Sequence, residues 1–338
     1  MADFVHLHLH SEYSLLDGAC RIADIPKAAK AAGQNAVAIT DHGNMYGAVA
    51  FYKACKAEGI KPIIGCEVYV AKRSRFDRER EHDAGADHLI LLVRNEVGYA
   101  NLITLVSKGF TEGFYSRPRI DNELLEQHAE GLICLSACLA GTIPRAIIAG
   151  DYDKAEAYAR KLDGIFGRGY FYLEVQDHGL RDDDVVNEGI RRLSERTGIP
   201  MAATNDVHYI KKTDADTQAI LMCIQTGNVI SDGRPIGFET DEFWFKGTQD
   251  MARLFRDYEG AVENTQKIAD MCSYDFEFGK IKLPRYEPEN GMKPDDFLRA
   301  LAFEGLEKKI AEGRIVFEGP YTRALYEERI AYELSVIG

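Results

Sequence analysis

The sequence has no disulfide framework. Its seven cysteines (Cys20, Cys55, Cys66, Cys134, Cys138, Cys223 and Cys272) are odd in number and scattered, with no CxxC pair. That excludes a disulfide-stapled secreted scaffold and fits a reducing, cytoplasmic setting. Also missing is a basic-then-apolar leader, since a polar, His-rich stretch begins within five residues of Met1. No run approaches 18 apolar residues, so no spanning helix is expected and no membrane partner. Positive charge is scarce as well. With 41 Lys and Arg against 54 Asp and Glu the net charge is −13, which repels nucleic acid at long range and excludes a diffuse basic binding face. A phosphate-bearing substrate therefore needs a local positive site, and bound divalent metal ions could provide one. Internal repeats and low-complexity tracts are lacking too.

What is present is an ordinary globular composition, 46% hydrophobic and 10% aromatic, over 338 residues. That length suits one large domain plus a smaller piece. Seven short apolar runs read as strands: 4–9, 36–40, 61–70, 89–93, 132–135, 171–175 and 201–204. Helical stretches at 25–32, 49–58, 97–110, 152–166 and 184–197 separate most of them. The alternation implies parallel strands with crossover helices. Polar residues cluster after several different strands, which favours a closed β/α barrel over an open sheet with a single switch point. The expected fold class is α/β, a seven-stranded (β/α) TIM-like barrel over residues 1–275. Gly279, Pro284 and Pro288 break the pattern, so residues 276–338 are expected to form a linker and a short helical segment, 294–313 and 321–337, with too little apolar surface for its own core.

The chemistry starts at His6-Leu7-His8-Leu9-His10. Alternation along a strand puts His8 and His10, and with them His6, on one face, where paired imidazoles can share a metal. A single strand histidine is more often a hydrogen-bonded core residue, but three in five residues followed by Asp17-Gly18 point to ligands. Imidazoles at His42, His88 and His208, carboxylates at Asp17, Glu67 and Asp206, and the Cys138 thiol complete a mixed N, O and S set. Such a set suits Zn2+, or Mn2+ or Fe2+ at its oxygen-rich positions. Nine donors exceed one tetrahedral ion, so two or three ions are expected. Three divalent ions against three carboxylates and a thiolate leave the filled site positive by about two charges.

The pattern His6–Ser11 with Asp17-Gly18, then Asp41-His42, Glu67, Cys138 and Asp206-x-His208, resembles the polymerase and histidinol phosphatase (PHP) family of metallophosphoesterases. The resemblance implies a distorted seven-stranded β/α barrel with a trinuclear centre at one mouth, and Cys138 stands where other members often carry histidine. Phe4–Gly18, Ala38–Gly47, Gly59–Val70, Gly113–Asp121 and Thr204–Tyr209 look like one branch, that carried by bacterial replicative DNA polymerases. Tyr326–Ile337 resembles the start of a polymerase palm whose catalytic residues would lie beyond Gly338, so DNA synthesis is not expected of this stretch. Some members of the branch have lost ligands and keep the domain as a scaffold. Here all nine positions hold competent donors, which resembles members with their own 3′–5′ proofreading exonuclease activity.

The resemblance thus implies hydrolysis by metal-bound hydroxide around Asp17, His42 and Asp206 at a DNA 3′ end, single-stranded or frayed, in DNA replication. Its partners would be the rest of a polymerase chain and other replisome subunits. Tyr115, Arg117 and Arg119 lie in an aromatic and basic loop suited to stacking a frayed base and holding its phosphate, though a plain Pro-containing turn accounts for it equally. His6 is expected behind the ligands as a donor to them, and Asp41 either caps its turn or orients His42 or a neighbouring ligand. His82, His128 and His178 read as solvated or structural. Two rival functions use the same residues: a small-molecule phosphatase or pyrophosphatase, and a metal-stabilised scaffold that binds a separate proofreading exonuclease.

Overall fold

The computed structural model describes residues 3–229, 237–281 and 283–337. The chain divides into two compact units, Met1–Phe276 and Glu277–Gly338.

In the first unit the strands are β1 (Ala36–Ile39), β2 (Lys61–Ala71), β3 (Ala86–Val93), β4 (Phe114–Tyr115), β5 (Arg117–Ile120), β6 (Leu132–Leu135), β7 (Phe171–Val175) and β8 (Met201–Ala203). Hydrogen bonds run through β1-β2-β3-β6-β7-β8, and the short β4–β5 hairpin lies against the far end of β2. The seventh place in the ring is taken by the N-terminal segment, expected as a strand over 4–9 but forming only an isolated bridge, Leu9 to Val207. The Ala38 and Thr40 N–H groups donate to His6 and Leu9 carbonyls (both 2.8 Å), and on its other side His10 N–H reaches the Val207 carbonyl at 2.8 Å. These bonds close a distorted seven-stranded α/β barrel.

One strand runs against the expectation of an all-parallel ring: β3 is antiparallel to both β2 and β6. The β2–β3 connection holds only the four-residue helix Arg80–Asp83, too little for the crossover that a parallel pair requires. The consequence is functional. The start of β3, where His88 lies, comes to the mouth where the parallel strands end.

The helices follow the amphipathic stretches closely: Ile25–Ala31, Ala48–Glu58, Glu96–Thr111, Tyr152–Phe166 and Asp183–Thr197. Asn95, Asp121 and Asp151 cap helices by accepting the N–H groups of Gly98, Leu124 and Lys154. Two apolar clusters show which way each strand faces. Ala36, Ala38, Ile63, Ile90, Leu92, Ile133, Leu135, Tyr172 and Ala202 fill the barrel, closed below by Ile268 of helix Ala261–Met271. Their alternates, such as Val37, Ile39, Ile64, Leu91, Cys134 and Leu173, pack the helices onto its outside. Because side chains alternate, the inner rows continue upward as Ile63 to Glu67, Ile90 back to His88, and Tyr172 to Glu174. Each apolar row ends at the mouth in a polar residue.

In the second unit, helices Pro294–Ala311 and Arg323–Ile337 are joined by an Arg323–Glu307 ion pair. Among its described residues only Pro288 and Leu306 are buried.

Candidate metal centre

The mouth of the barrel gathers nine side chains from seven places in the sequence. The N-terminal segment bends at His8. Leu7 stays in the interior cluster while Leu9 joins the outer one, and the bend turns His8 and His10 inward together. His42 sits in the turn after β1, fixed by the Gly43 N–H donating to the Glu67 carbonyl at 2.7 Å. Gly43 has φ +61, and a Cβ there would lie 2.8 Å from Pro118 and 2.9 Å from Tyr69, so only glycine fits the turn. Cys138 follows Ala137, and Asp206 follows β8. Ala137 (φ 67) and Asp206 (φ 43) are both left-handed non-glycine residues, backbone strain concentrated at this mouth.

Three groups lie close enough to share a cation: His8, His10 and Asp206; His10, His42 and His208; and His42, Glu67 and His88. Asp206 Oδ1 is 3.0 Å from His8 Nε2 and 3.1 Å from His10 Nε2, and the two Nε2 atoms are 3.1 Å apart. Glu67 is central. Its Oε1 lies 3.3 Å from His8 Nε2 and 2.9 Å from His88 Nδ1, and its Oε2 contacts His42 Nδ1. Asp17 Oδ1 is 3.1 Å from His42 Nε2 and 3.9 Å from His208 Nε2. Cys138 Sγ completes the rim, 3.8 Å from His88 Nδ1 and 3.9 Å from Glu67 Oε1. His8, His10 and Glu67 are fully buried, whereas Asp17, His42, His88 and Cys138 form the partly open edge.

Hydrogen bonding decides which atoms face the centre. His8 Nδ1–H donates to Glu174 Oε1 (2.7 Å), and His208 Nδ1–H donates to the Asp206 carbonyl (2.8 Å). His10 Nδ1–H donates to Ser14 Oγ (3.0 Å), whose own proton goes to Asp41 Oδ1 (2.8 Å). All three imidazoles therefore present a bare Nε2 to the centre. The buried Oδ1 atoms of Asp17 and Asp206 have no hydrogen-bond donor. Lone pairs about 3 Å apart need a cation between them, either protons or metal.

The proton affinities show the same competition. Burial lowers the His8 pKa, but the Asp206 and Glu174 carboxylates override it and raise it well above the usual value. His42 is raised likewise, by Glu67 and Asp17 against burial. His10, buried and stacked between His42 and His208, is lowered to about 3. Burial would raise the acids, yet His42 holds Asp17 down at about 2, His88 and His42 hold Glu67 low, and His8 and His208 hold Asp206 low. Burial, then Asp206 and Glu67, push the Cys138 thiol up. The donor set, with bare nitrogens, unpartnered carboxylate oxygens and one thiol, fits divalent cations.

The PHP domain family matches residues 6–178. The chain belongs to the PHP family. This PHP chain is also 47% identical to the DNA polymerase III subunit alpha of Treponema pallidum (strain Nichols), over 99% of its own length and 28% of that protein. The same subunit of Borreliella burgdorferi is 44% identical (99% and 28%), and that of Thermus aquaticus 42% (96% and 27%). The chain thus spans under a third of the length of these relatives. A solved two-domain protein from Bacteroides vulgatus, described as containing a predicted PHP-like metal-dependent phosphoesterase, aligns at TM-score 0.41 and 14% identity. It covers 78% of this chain and 63% of that one, a likeness too loose to argue from.

Around the nine side chains, several expected roles of this PHP domain shift. His6 does not stand behind the ligands. The bend at His8 breaks the alternation, so the buried His6 ring packs against Phe245 at 4.2 Å and its Nε2 donates to the Lys246 carbonyl (2.8 Å). Asp41 reaches a neighbouring ligand, one of its expected roles, rather than the His42 ring. It takes the Ser11 N–H and the Ser11 and Ser14 hydroxyls, and through Ser14 it orients His10. Arg119 is not available to substrate: it is 1% exposed, and its guanidinium donates to the carbonyls of Asp83, Arg75, Asp77 and Gly113. Tyr115 lies with its ring under that guanidinium. Arg117 is different, since it covers the Tyr69 ring at 5.5 Å, and Tyr69 meets His88 edge-on at 5.2 Å. His178 is buried against Phe243.

Two functional residues escaped sequence reasoning, Glu174 and Ser14. Glu174 was detectable as the lone acid in Phe-Tyr-Leu-Glu-Val, a strand otherwise apolar, where an unpaired charge is too costly to bury without a partner. Ser14 carries no such signal.

Proposed function

We propose that this chain is a metal-dependent phosphoesterase acting on DNA 3′ ends, a 3′–5′ proofreading exonuclease that works beside the rest of a replicative polymerase and other replisome subunits. The observation that carries the reading is the convergence of all nine donors, with three imidazoles held in one tautomer and two carboxylate oxygens left without a donor.

His8, His10, Asp17, His42, Glu67, His88, Cys138, Asp206 and His208 would hold two or three ions, Zn2+ first, with Mn2+ or Fe2+ as alternatives. Bound divalent ions supply Lewis-acid polarisation and charge neutralisation at the phosphoryl group. The residues supply the rest. Glu67, His8 and His10 are locked below the surface, so the scissile phosphate meets the open edge made by Asp17, His42, His88 and Cys138. Asp17 and His42, 3.1 Å apart at that edge, orient the attacking water, and Asp206 keeps His8 and His10 in register beneath it. Arg117, resting on Tyr69 beside His88, adds a cation at the rim for the next phosphate.

The test is a 5′-labelled primer with a mismatched 3′ end, incubated with metal-loaded protein with and without chelator, beside a His8→Ala/His10→Ala control. Chelator-sensitive shortening from the 3′ end by the parent chain alone is expected. Equal shortening by both proteins would sink the reading, and a phosphomonoester assay on the same samples separates out a small-molecule phosphatase.

A further inference from the structure

We infer that a cavity beside the metal centre is a nucleobase subsite, which takes the planar base of the nucleotide whose phosphodiester is cut; the inference rests on the phosphoesterase reading above. The cavity is about 480 Å3, walled by Leu139, Leu180, Phe238 and Phe243, with Arg181 and the carboxylates of Asp182 and Glu239 at its edge. That volume falls within the range of roughly 300–1,000 Å3 found for small-molecule sites, and the lining pairs an aromatic and aliphatic wall with a charged edge.

Its position ties it to the chemistry. Phe238 meets the His208 imidazole edge-on at 4.8 Å, and Leu139 directly follows Cys138. One wall is therefore a single ring away from the side chains that face the phosphate. A nucleotide places its base and its phosphate on opposite sides of one sugar, so a phosphate at the open edge brings its base to this cavity.

The Phe243 wall is also fixed in advance. His178 stacks on Phe243 at 3.9 Å and 8°, and Thr240 Oγ donates to the His178 carbonyl at 2.7 Å, pinning the loop after β7 to the segment around Phe243. The His208 N–H donates to the Phe243 carbonyl at 2.9 Å, and the Asn205 side-chain amide donates to the carbonyls of Glu242 (3.2 Å) and Trp244 (2.8 Å). Phe243 is consequently held by the same stretch that presents Asp206 and His208. Phe238 stays half-buried, its ring packed on Phe243 at 4.3 Å and otherwise turned to the cavity. Stacking on an aromatic ring accepts every base, which suits an enzyme that must remove whichever nucleotide is wrong.

The experiment uses the metal-loaded chain and an oligonucleotide ending in 2-aminopurine, with a terminal phosphorothioate linkage to slow cleavage. Stacking quenches the fluorophore. The parent chain is expected to quench it, Phe238→Ala to lose the quenching and bind on the order of tenfold more weakly, and Phe238→Tyr to retain both. Unchanged metal content and circular dichroism confirm that Phe238→Ala is folded. An oligonucleotide with an abasic 3′ terminus should bind parent and Phe238→Ala alike. Quenching by Phe238→Ala equal to the parent's, or equal parental affinity for abasic and base-bearing ends, overturns the subsite. The primer-shortening assay separates the two readings. Shortening that ignores Phe238 and the base removes the subsite alone, Phe238-dependent quenching without shortening removes the hydrolytic reading and leaves only a base-binding cavity with no cleaved nucleotide assigned to it, and absence of both binding and shortening removes both.

Discussion

Glu174 and His8 form a buried pair in which the Glu174 Oε1 accepts the His8 Nδ1–H at 2.7 Å, both side chains being fully enclosed. The same carboxylate takes the Ala137 N–H at 2.8 Å, the Thr204 hydroxyl and the Gln176 amide at 2.9 Å. One acid thus fixes the tautomer of His8 and the strained backbone that carries Cys138. A carboxylate behind a ligating imidazole fixes the ring's orientation and raises its basicity, and its loss typically costs 10–100-fold in metal affinity. Glu174→Gln should therefore weaken metal binding by about tenfold or more. Competition against a chromophoric chelator measures it, and an unchanged affinity would show that His8 needs no such support.

Ser14 makes a second link of this kind, between Asp41 and two metal-facing residues. Its oxygen accepts from His10 Nδ1–H and from the His42 N–H (3.1 Å) while its proton is given to Asp41. Ser14→Ala removes all three bonds but leaves Asp41 held by Ser11. The expected outcome is a loss of stability of about 1–3 kcal/mol for buried groups left unpaired, with a fall in metal affinity larger than the fall in melting temperature alone explains. Thermal melts with and without metal separate the two effects, and a variant whose metal-dependent rise in Tm matches the parent's would contradict the role.

Much of this arrangement was legible because it depends on local rules. Helix positions followed from the apolar spacing, and the shared face of His8 and His10 from strand alternation. What was not legible depends on long-range geometry. The direction of β3 goes with a connection whose one helix, Arg80–Asp83, is a single turn, and only the antiparallel course puts His88 at the mouth. Alternation assigned His6 to the ligand row, and the bend at His8 removed it, a backbone event that no side-chain pattern records. Arg119 read as a phosphate-holding residue of a basic loop, yet four carbonyls from the 75–113 region converge on it.

His178 sets a pH dependence outside the metal centre. Burial lowers its pKa to about 4, and its Nε2–H donates to the Asn205 carbonyl at 2.9 Å. The unfolded chain binds this proton near the ordinary value of about 6.5, the folded chain only near 4, so the unfolded state carries more protons between them. Stability from this residue is complete above about pH 6.5 and declines as pH falls toward 4, by about 2 kcal/mol at pH 5. Urea unfolding at pH 7.5 and pH 5, in chelator throughout so that ligand protonation is common to both proteins, should show a smaller pH difference for His178→Gln than for the parent. Equal differences would assign the acid sensitivity elsewhere.

Arg119 offers the sharpest separation between structure and substrate binding. Its guanidinium spans Gly113, Asp83, Arg75 and Asp77 carbonyls at 2.8–3.2 Å in an enclosed site, tying the β4–β5 hairpin to the segment after β2. Arg119→Ala leaves those acceptors without donors and should destabilise the first unit by about 3 kcal/mol. Arg119→Lys should rescue little, because a single ammonium cannot reach four acceptors arranged for a planar fork. Arg117→Ala is the contrasting case: it removes a half-buried cation lying over Tyr69 and should barely move the melting temperature while raising KM for an oligonucleotide. Measured on folded protein below the lowered Tm, Arg119→Ala should keep the parent's KM. A raised KM with unchanged Tm for Arg119→Ala would return that residue to the substrate.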